Sequence, residues 1–164
     1  MTRICLNMIV RNEADKILRC LHSVVPHVSC YAIVDTGSTD STQDLIELFF
    51  EERDIPGVVT QAPFKDFSQA RNAALELARG LEIPYDYILL TDADMELVVE
   101  NPRVFDRLVE KSYNITQRGG NLVYSNKRLV HRLTPGDYKG VTHEYLDIGN
   151  SADLTGAYFL DHAD

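Results

Sequence analysis

Tryptophan is absent from the chain, and cysteine is scarce, with three among 164 residues. Cys5, Cys20 and Cys30 are odd in number, widely spaced and form no CxxC pair. They do not fit a disulfide framework and read as reduced thiols of a cytoplasmic protein. Long hydrophobic runs are missing as well. No stretch approaches the roughly 20 apolar residues that span a bilayer. The N-terminal apolar run is broken by Asn7 and closed by Arg11 and Asn12, too short and too polar for a signal peptide. Positive charge is the minority sign: 16 Lys and Arg stand against 25 Asp and Glu, a net charge of −9. General attraction to nucleic acid or anionic membrane is therefore not expected. An anionic ligand would need local donors or a metal to offset the repulsion. Asn114-Ile115-Thr116 is formally a glycosylation acceptor, which means little without secretion.

What is present is ordinary globular composition: 45% apolar, 25% charged and 9% aromatic residues. The length is about one domain's worth. Ile4 to Val10 reads as a strand, and residues 13 to 25 as an amphipathic helix ended by Pro26. Cys30 to Val34 is a second strand, ending at Asp35. The turn-rich Thr36 to Asp40 leads to a helix whose Ser41 and Asp44 resemble a capping pair. Val58 to Gln61 is a third strand. A helical stripe runs from Phe67 to Leu81, with Gly80 where an αL cap would fall. Tyr87 to Leu90 is the most apolar strand and leads into Asp92-Ala93-Asp94. Asn101-Pro102 predicts a short helix to about Lys111. Residues 114–132 and 138–148 then read as strands with turns at Gly119-Gly120 and Pro135-Gly136, and Ala157 to Leu160 as a last strand.

Strand–helix alternation implies a mostly parallel sheet with helices on both faces, whose ligands bind beyond the carboxyl ends of the strands. Arg11, Asn12 and Glu13 follow the first strand, Asp35 and Gly37 the second, and Asp92 and Asp94 the fourth. Such residues also serve ordinary loops and caps, but three loops at one edge favour a site. Asp92 and Asp94 can share a hard cation, Mg2+ or Mn2+, with a diphosphate. Arg71 and Asn72 lie near the start of their helix, where free N–H groups favour an anion. Arg71 adds a bidentate clamp, unless it merely pairs with Asp66. His143-Glu144 offers a further metal ligand or phosphate donor and a general base, although such pairs are more often structural. His22, His27 and His131 read as surface or packing residues.

Together these segments resemble the family 2 glycosyltransferases, which have the GT-A fold. The resemblance is carried by Met8-Ile9-Val10-Arg11-Asn12-Glu13, by Ile33 to Thr42, by Asp66-Phe67-Ser68-Gln69-Ala70-Arg71-Asn72 and by Leu89 to Asp94, over roughly residues 4 to 96. Gly140-Val141-Thr142-His143-Glu144 and Leu160-Asp161-His162 look like elements of one bacterial-type subgroup. The resemblance implies an α/β GT-A (nucleotide-diphospho-sugar transferase) fold: a mostly parallel Rossmann-like sheet, helices on both faces and a mixed β-rich C-terminal part. It implies one domain over 1–164, with a nucleotide-sugar half (1–100) and an acceptor-side half (101–164) whose abrupt end leaves truncation open. The implied activity is inverting transfer of a sugar from a UDP-sugar to a saccharide, lipid-linked or protein acceptor, with Mn2+ or Mg2+. Val10, Asn12, Glu13 and Gly37 would line the nucleotide pocket, and Asp35 would accept from the base. Asp66, Arg71 and Asn72 would line the sugar and diphosphate. Asp92 and Asp94 would form the DxD motif, with Asp94 the more direct metal ligand, completed by His143. Glu144 is the base candidate, in competition with Asp137, Asp147 and Asp161.

Departures set limits. The chain lacks the Gln/Arg-x-x-Arg-Trp motif and the membrane helices of processive members, so it does not resemble a polysaccharide synthase. The usual acceptor-side Glu-Asp pair is not evident. Two alternatives compete. One is a nucleotide-sugar-fold module or fragment without full activity. The other is a haloacid-dehalogenase-type phosphohydrolase, whose apolar strand also runs into Asp-x-Asp; that family expects Thr or Val where Glu96 stands.

Overall fold

The computed structural model describes residues 2–141 and 143–163. Thr142 of the 140–144 segment and Asp164 lie outside the described residues. The strands are β1 (Ile4–Val10), β2 (Cys30–Asp35), β3 (Gly57–Gln61), β4 (Tyr87–Leu90), β5 (Met95–Val99), β6 (Ser112–Gly119), β7 (Leu122–His131), β8 (Asp137–Lys139), β9 (Tyr145–Asp147) and β10 (Ala152–Asp161). The helices are α1 (Ile17–Val24), α2 (Thr42–Glu51) and α3 (Phe67–Arg79).

One eight-stranded sheet runs in the order β3-β2-β1-β4-β7-β6-β10-β5, and β8 and β9 form a separate hairpin. β3, β2, β1 and β4 are parallel. β7 then reverses direction beside β4 and pairs antiparallel with β6. β10 joins β6 in parallel and carries β5 as the antiparallel edge.

β1 shows why the first half folds this way. Ile4, Leu6 and Met8 face a core shared with Ile17, Leu21 and Val24 of α1 and Phe49 and Phe50 of α2. Cys5 faces the other layer, with Leu75 and Ala78 of α3. A strand covered on both faces reads as a near-continuous apolar run. Its one polar interior residue is satisfied: Asn7 Nδ2 donates to the carbonyls of Ala32 and Ala74, tying β1 to β2 and α3. All three cysteines are free and buried. His22, His27 and His131 pack against Phe49, Phe105 and Tyr87. Among the described residues, no helix is long and apolar enough to cross a membrane.

Four local expectations are corrected. Ser41 makes no side-chain cap on α2. Asp40 takes that place, its Oδ1 accepting from the Thr42 N–H and hydroxyl. Gly80 ends α3 with a right-handed φ of −86° instead of an αL cap. Residues 101–107 form turns and no helix. Asn101 Oδ1 does accept from Arg103 N, but the Glu100 and Asn101 amides are drawn to the Gly156 carbonyl on β10. β5 was not anticipated, because its five residues follow Asp94 without a turn signal.

Candidate active site

The parallel strands deliver their carboxyl ends to one edge. At β1, Val10 is buried, and its carbonyl accepts from Thr36 N–H at 3.0 Å. Asn12 adopts a left-handed φ of 52°, which its short polar side chain tolerates. Its Oδ1 accepts from Thr39 N–H at 2.8 Å, and Ser38 Oγ accepts from its own N–H at 2.9 Å. The Glu13 amide donates to Thr42 Oγ1. Burial raises the Glu13 carboxyl above its ordinary range.

At β2, Asp35 is 1% exposed. Its Oδ1 accepts from Gly37 N–H at 2.8 Å and Ser38 N–H at 2.7 Å. That turn places Gly37 at φ +125°, a conformation natural only to glycine. Asp35 Oδ2 is buried with no hydrogen-bond partner among the described residues. A buried acceptor left unpaired costs about 1–3 kcal/mol, a cost that a ligand N–H removes.

α3 builds the middle of the site. Asp66 is its N-cap, Oδ1 accepting from Gln69 N–H at 2.8 Å. It lines neither of the cavities described below, contrary to the donor-side expectation. Ser68, Arg71 and Asn72 share one face of the helix. Ser68 Oγ donates to the Gly140 carbonyl. Asn72 grips the Tyr138 backbone twice, donating to its carbonyl at 3.0 Å and accepting from its amide at 2.7 Å. Asn72 thus holds the β8–β9 hairpin instead of facing the donor cavity. Arg71 does not pair with Asp66. Its Nη1 donates to Asp92 Oδ1 at 3.0 Å, and its Nε lies 3.4 Å from Glu144 Oε1. The helix that supplies Arg71 therefore also positions the hairpin bearing Glu144.

The two DxD carboxylates differ in environment. Asp92 lies between two guanidiniums, because Arg128 Nη2 stands 3.6 Å from its other oxygen. Burial alone would raise its pKa; Arg128 and then Arg71 outweigh it and hold Asp92 below the ordinary carboxylate range. Asp94 forms no ion pair among the described residues. Burial, with Asp92 and Asp161 nearby, raises its pKa. Arg128, from the middle of β7, was missed in the sequence. It is 9% exposed and also donates to Gln117 Oε1 at 3.0 Å. A lone arginine inside a strand pattern gives no signal of what it faces.

Two cavities meet at Arg71. The first, of about 340 Å³, is lined by Val10, Arg11, Glu13, Phe64, Phe67, Asp92 and Asp94 beside Arg71. The second, of about 290 Å³, lies toward β7 and the hairpin and includes Arg128, Tyr138 and Glu144. His143 is exposed and lines neither cavity. Among the described residues, no three carboxylate, imidazole or thiol groups form a metal-binding cluster. The expected Asp92–Asp94–His143 set is therefore not assembled. A hard cation still fits Asp94: Mg2+ is usually held by one or two carboxylates, with substrate phosphates and water completing its shell. A bound cation would favour the ionised form of Asp94 against the burial and the neighbouring carboxylates, Asp92 and Asp161, that raise its pKa. Among the competing bases, Asp137 pairs with Lys139 at 3.1 Å and Asp147 is exposed on β9. Asp161 accepts from the Tyr124 hydroxyl at 3.0 Å, near Asp94.

Parallel strands feeding an acidic pair, with a mixed sheet completing the wall, define the GT-A class of nucleotide-diphospho-sugar folds. The Glycosyl transferase family 2 profile matches residues 5–132, and the chain belongs to that family. It is 34% identical over 98 residues to the SPbeta prophage-derived glycosyltransferase SunS of Bacillus subtilis, covering 60% of this chain and 21% of SunS. Its fold resembles S. aureus TarS 1-349 in complex with UDP, with a TM-score of 0.56, 19% identity, and coverage of 73% of this chain and 37% of TarS. It also resembles GalNAc-T7 with UDP, GalNAc and Mn2+, with a TM-score of 0.55, 15% identity, and coverage of 94% and 30%. The chain spans about a fifth of the length of the curated relatives it matches. Family membership displaces the phosphohydrolase alternative for Tyr87 to Asp94.

Proposed function

We propose that this chain carries the donor site and reaction centre of a glycosyltransferase. It would move a sugar from a nucleotide-diphospho-sugar, UDP-sugar first, to an acceptor hydroxyl with inversion. The observation that carries this reading is the meeting of two cavities at Arg71, with Asp92 and Asp94 on one side and Glu144 on the other. In a single displacement, the leaving diphosphate and the incoming hydroxyl need opposite sides of the sugar. The larger cavity suits the donor. Asp35 lines neither cavity but stands beside Val10 and Thr36, which line the larger one, and its unpaired oxygen would accept a base N–H that reached it. Phe64 and Phe67 would supply apolar contact on the cavity wall.

Asp94 would hold Mn2+ or Mg2+, which when bound neutralises charge on the leaving diphosphate. Arg71 would donate to a phosphate oxygen while anchored on Asp92. Glu144, whose Oε1 lies 3.4 Å from Arg71 Nε, would take the acceptor proton. Prealigned charges of this kind act through positioning and electrostatic stabilisation. The UDP-bound TarS and the UDP- and Mn2+-bound GalNAc-T7 support a nucleotide-sugar ligand for this fold. Calorimetric titration of UDP, GDP and dTDP, each with and without Mn2+, tests the reading. Metal-dependent UDP binding is expected. Absence of binding by all three to the folded protein overturns it in favour of a module without donor chemistry.

A further inference from the structure

We propose that the smaller cavity is built for an acceptor bearing an anionic group, a carboxylate or phosphate on a hydroxylated ring. This deepens the transferase reading and rests on it. In a chain of net charge −9, the cavity wall carries three cations, Arg71, Lys127 and Arg128, against a single carboxylate, Glu144. The donor cavity has the opposite balance, two arginines against Glu13, Asp92 and Asp94. The two ligands are thus offered different fields across one guanidinium.

Lys127 decides the matter. It is half-buried on β7, and no carboxylate among the described residues lies within ion-pair distance of it. Its cross-strand partner is Asn114, whose amide is engaged by Asp153 Oδ1 at 3.1 Å. A partly desolvated ammonium with no counter-charge, on the wall of a cavity, is matched by an anion from outside. The arginines add to this. Arg128 is pinned by Gln117 and Asp92. Arg71 uses Nη1 and Nε on Asp92 and Glu144 and leaves Nη2 without a partner among the described residues. Tyr138 and Tyr145 also line this cavity, and aromatic side chains are suited to contact with a sugar ring. Lys127 would therefore hold the acceptor's charge while its hydroxyl meets Glu144.

Glucose, glucuronate and glucose 6-phosphate share one ring and differ in charge, so they serve as probes. Their binding is followed by saturation-transfer NMR in Mg2+ buffer, with and without saturating UDP. At least one anionic probe should bind about tenfold or more tighter than glucose, the size of one charge-assisted contact. Lys127→Gln should bring it to the level of glucose, whereas Arg103→Gln, which removes an exposed cation lining neither cavity, should not. Preference for glucuronate marks a carboxylate acceptor, and preference for glucose 6-phosphate a phosphate acceptor. Equal affinity for all three, no binding of either anion, or anion binding that survives Lys127→Gln would overturn the proposal. UDP affinity of each variant reports whether the donor cavity is intact. Loss of UDP binding by the unmodified protein, with Lys127-dependent anion binding retained, would overturn the donor reading and leave this cavity standing.

Discussion

Asp92 and Asp94 are separated by one residue and have opposite electrostatic roles. Asp92 is clamped by Arg71 and Arg128 and is ionised at the expense of neither, so it is a fixed structural charge. Asp94 makes no ion pair among the described residues, which leaves its carboxylate to meet a cation. Asp94→Ala should abolish the Mn2+ dependence of UDP binding in calorimetry, with a loss of affinity of tenfold or more in Mn2+. Unchanged metal dependence would show that the DxD assignment is wrong. Asp92→Asn should instead cost stability, about 3 kcal/mol near neutral pH, because two guanidiniums lose their shared partner. The flanking guanidiniums hold the folded pKa of Asp92 below the ordinary carboxylate value, so its contribution is present above that ordinary value and lost as pH falls through the folded pKa. Urea unfolding of wild type and Asp92→Asn should therefore converge in strong acid. Glu144→Gln is expected to retain UDP affinity while sugar transfer falls by about a hundredfold or more, the usual worth of a general base.

Among the elements, α3 does the most. Ser68 and Asn72 tie down the hairpin, and Arg71 holds the Asp92 carboxylate beyond β4 and lines both cavities. Its N-cap is Asp66, which the family resemblance assigned to the donor. Asp66→Ala should lower stability by about 1 kcal/mol in urea unfolding, and Asp66→Ser should restore it, as capping requires. A selective loss of UDP affinity in Asp66→Ser would return this residue to the donor side. β1, β2 and β4 were legible because each is buried on both faces and ends at a turn. β1, β2 and β4 match their expected spans almost residue for residue. Where a helix was expected after Asn101, the chain is tied to β10 through the Glu100 and Asn101 amides and closes into successive i+3 turns, Val104 N to Asn101 O and Asp106 N to Arg103 O. β5 escaped notice because an edge strand owes its existence to its partner, and the local pattern that shows the last strand does not show that it pairs with residues 95–99. The candidate residues at strand ends were legible from position and from the family resemblance, and the fold brings Arg11, Glu13, Asp92 and Asp94 to one cavity. Arg128 and Lys127 lie inside a strand, where only the fold reveals that they face a cavity.

At the scale of the molecule, a strongly acidic protein is proposed to bind an anionic nucleotide, and its stability should register that. UDP with Mn2+ at about a hundred times Kd should add about 2.7 kcal/mol to unfolding. Thermal melts should show the gain, and EDTA should remove most of it. The reversal of strand direction at β7 unites the two halves, since β4 delivers Asp92 from one side of the sheet and β7 brings Arg128 to it from the other. That union makes the β6–β7 hairpin unequal along its length. Side chains on a strand alternate between faces, so a one-residue slip turns each to the opposite side. Extra residues spliced at the exposed tip, residues 120–122, would lengthen the ribbon and leave Arg128 where it is. The same splice between Tyr124 and Arg128 would rotate the guanidinium away from Asp92. The hairpin is thus permissive at its end and intolerant at its root, which makes the tip the place to graft a tag or reporter without disturbing the reaction centre.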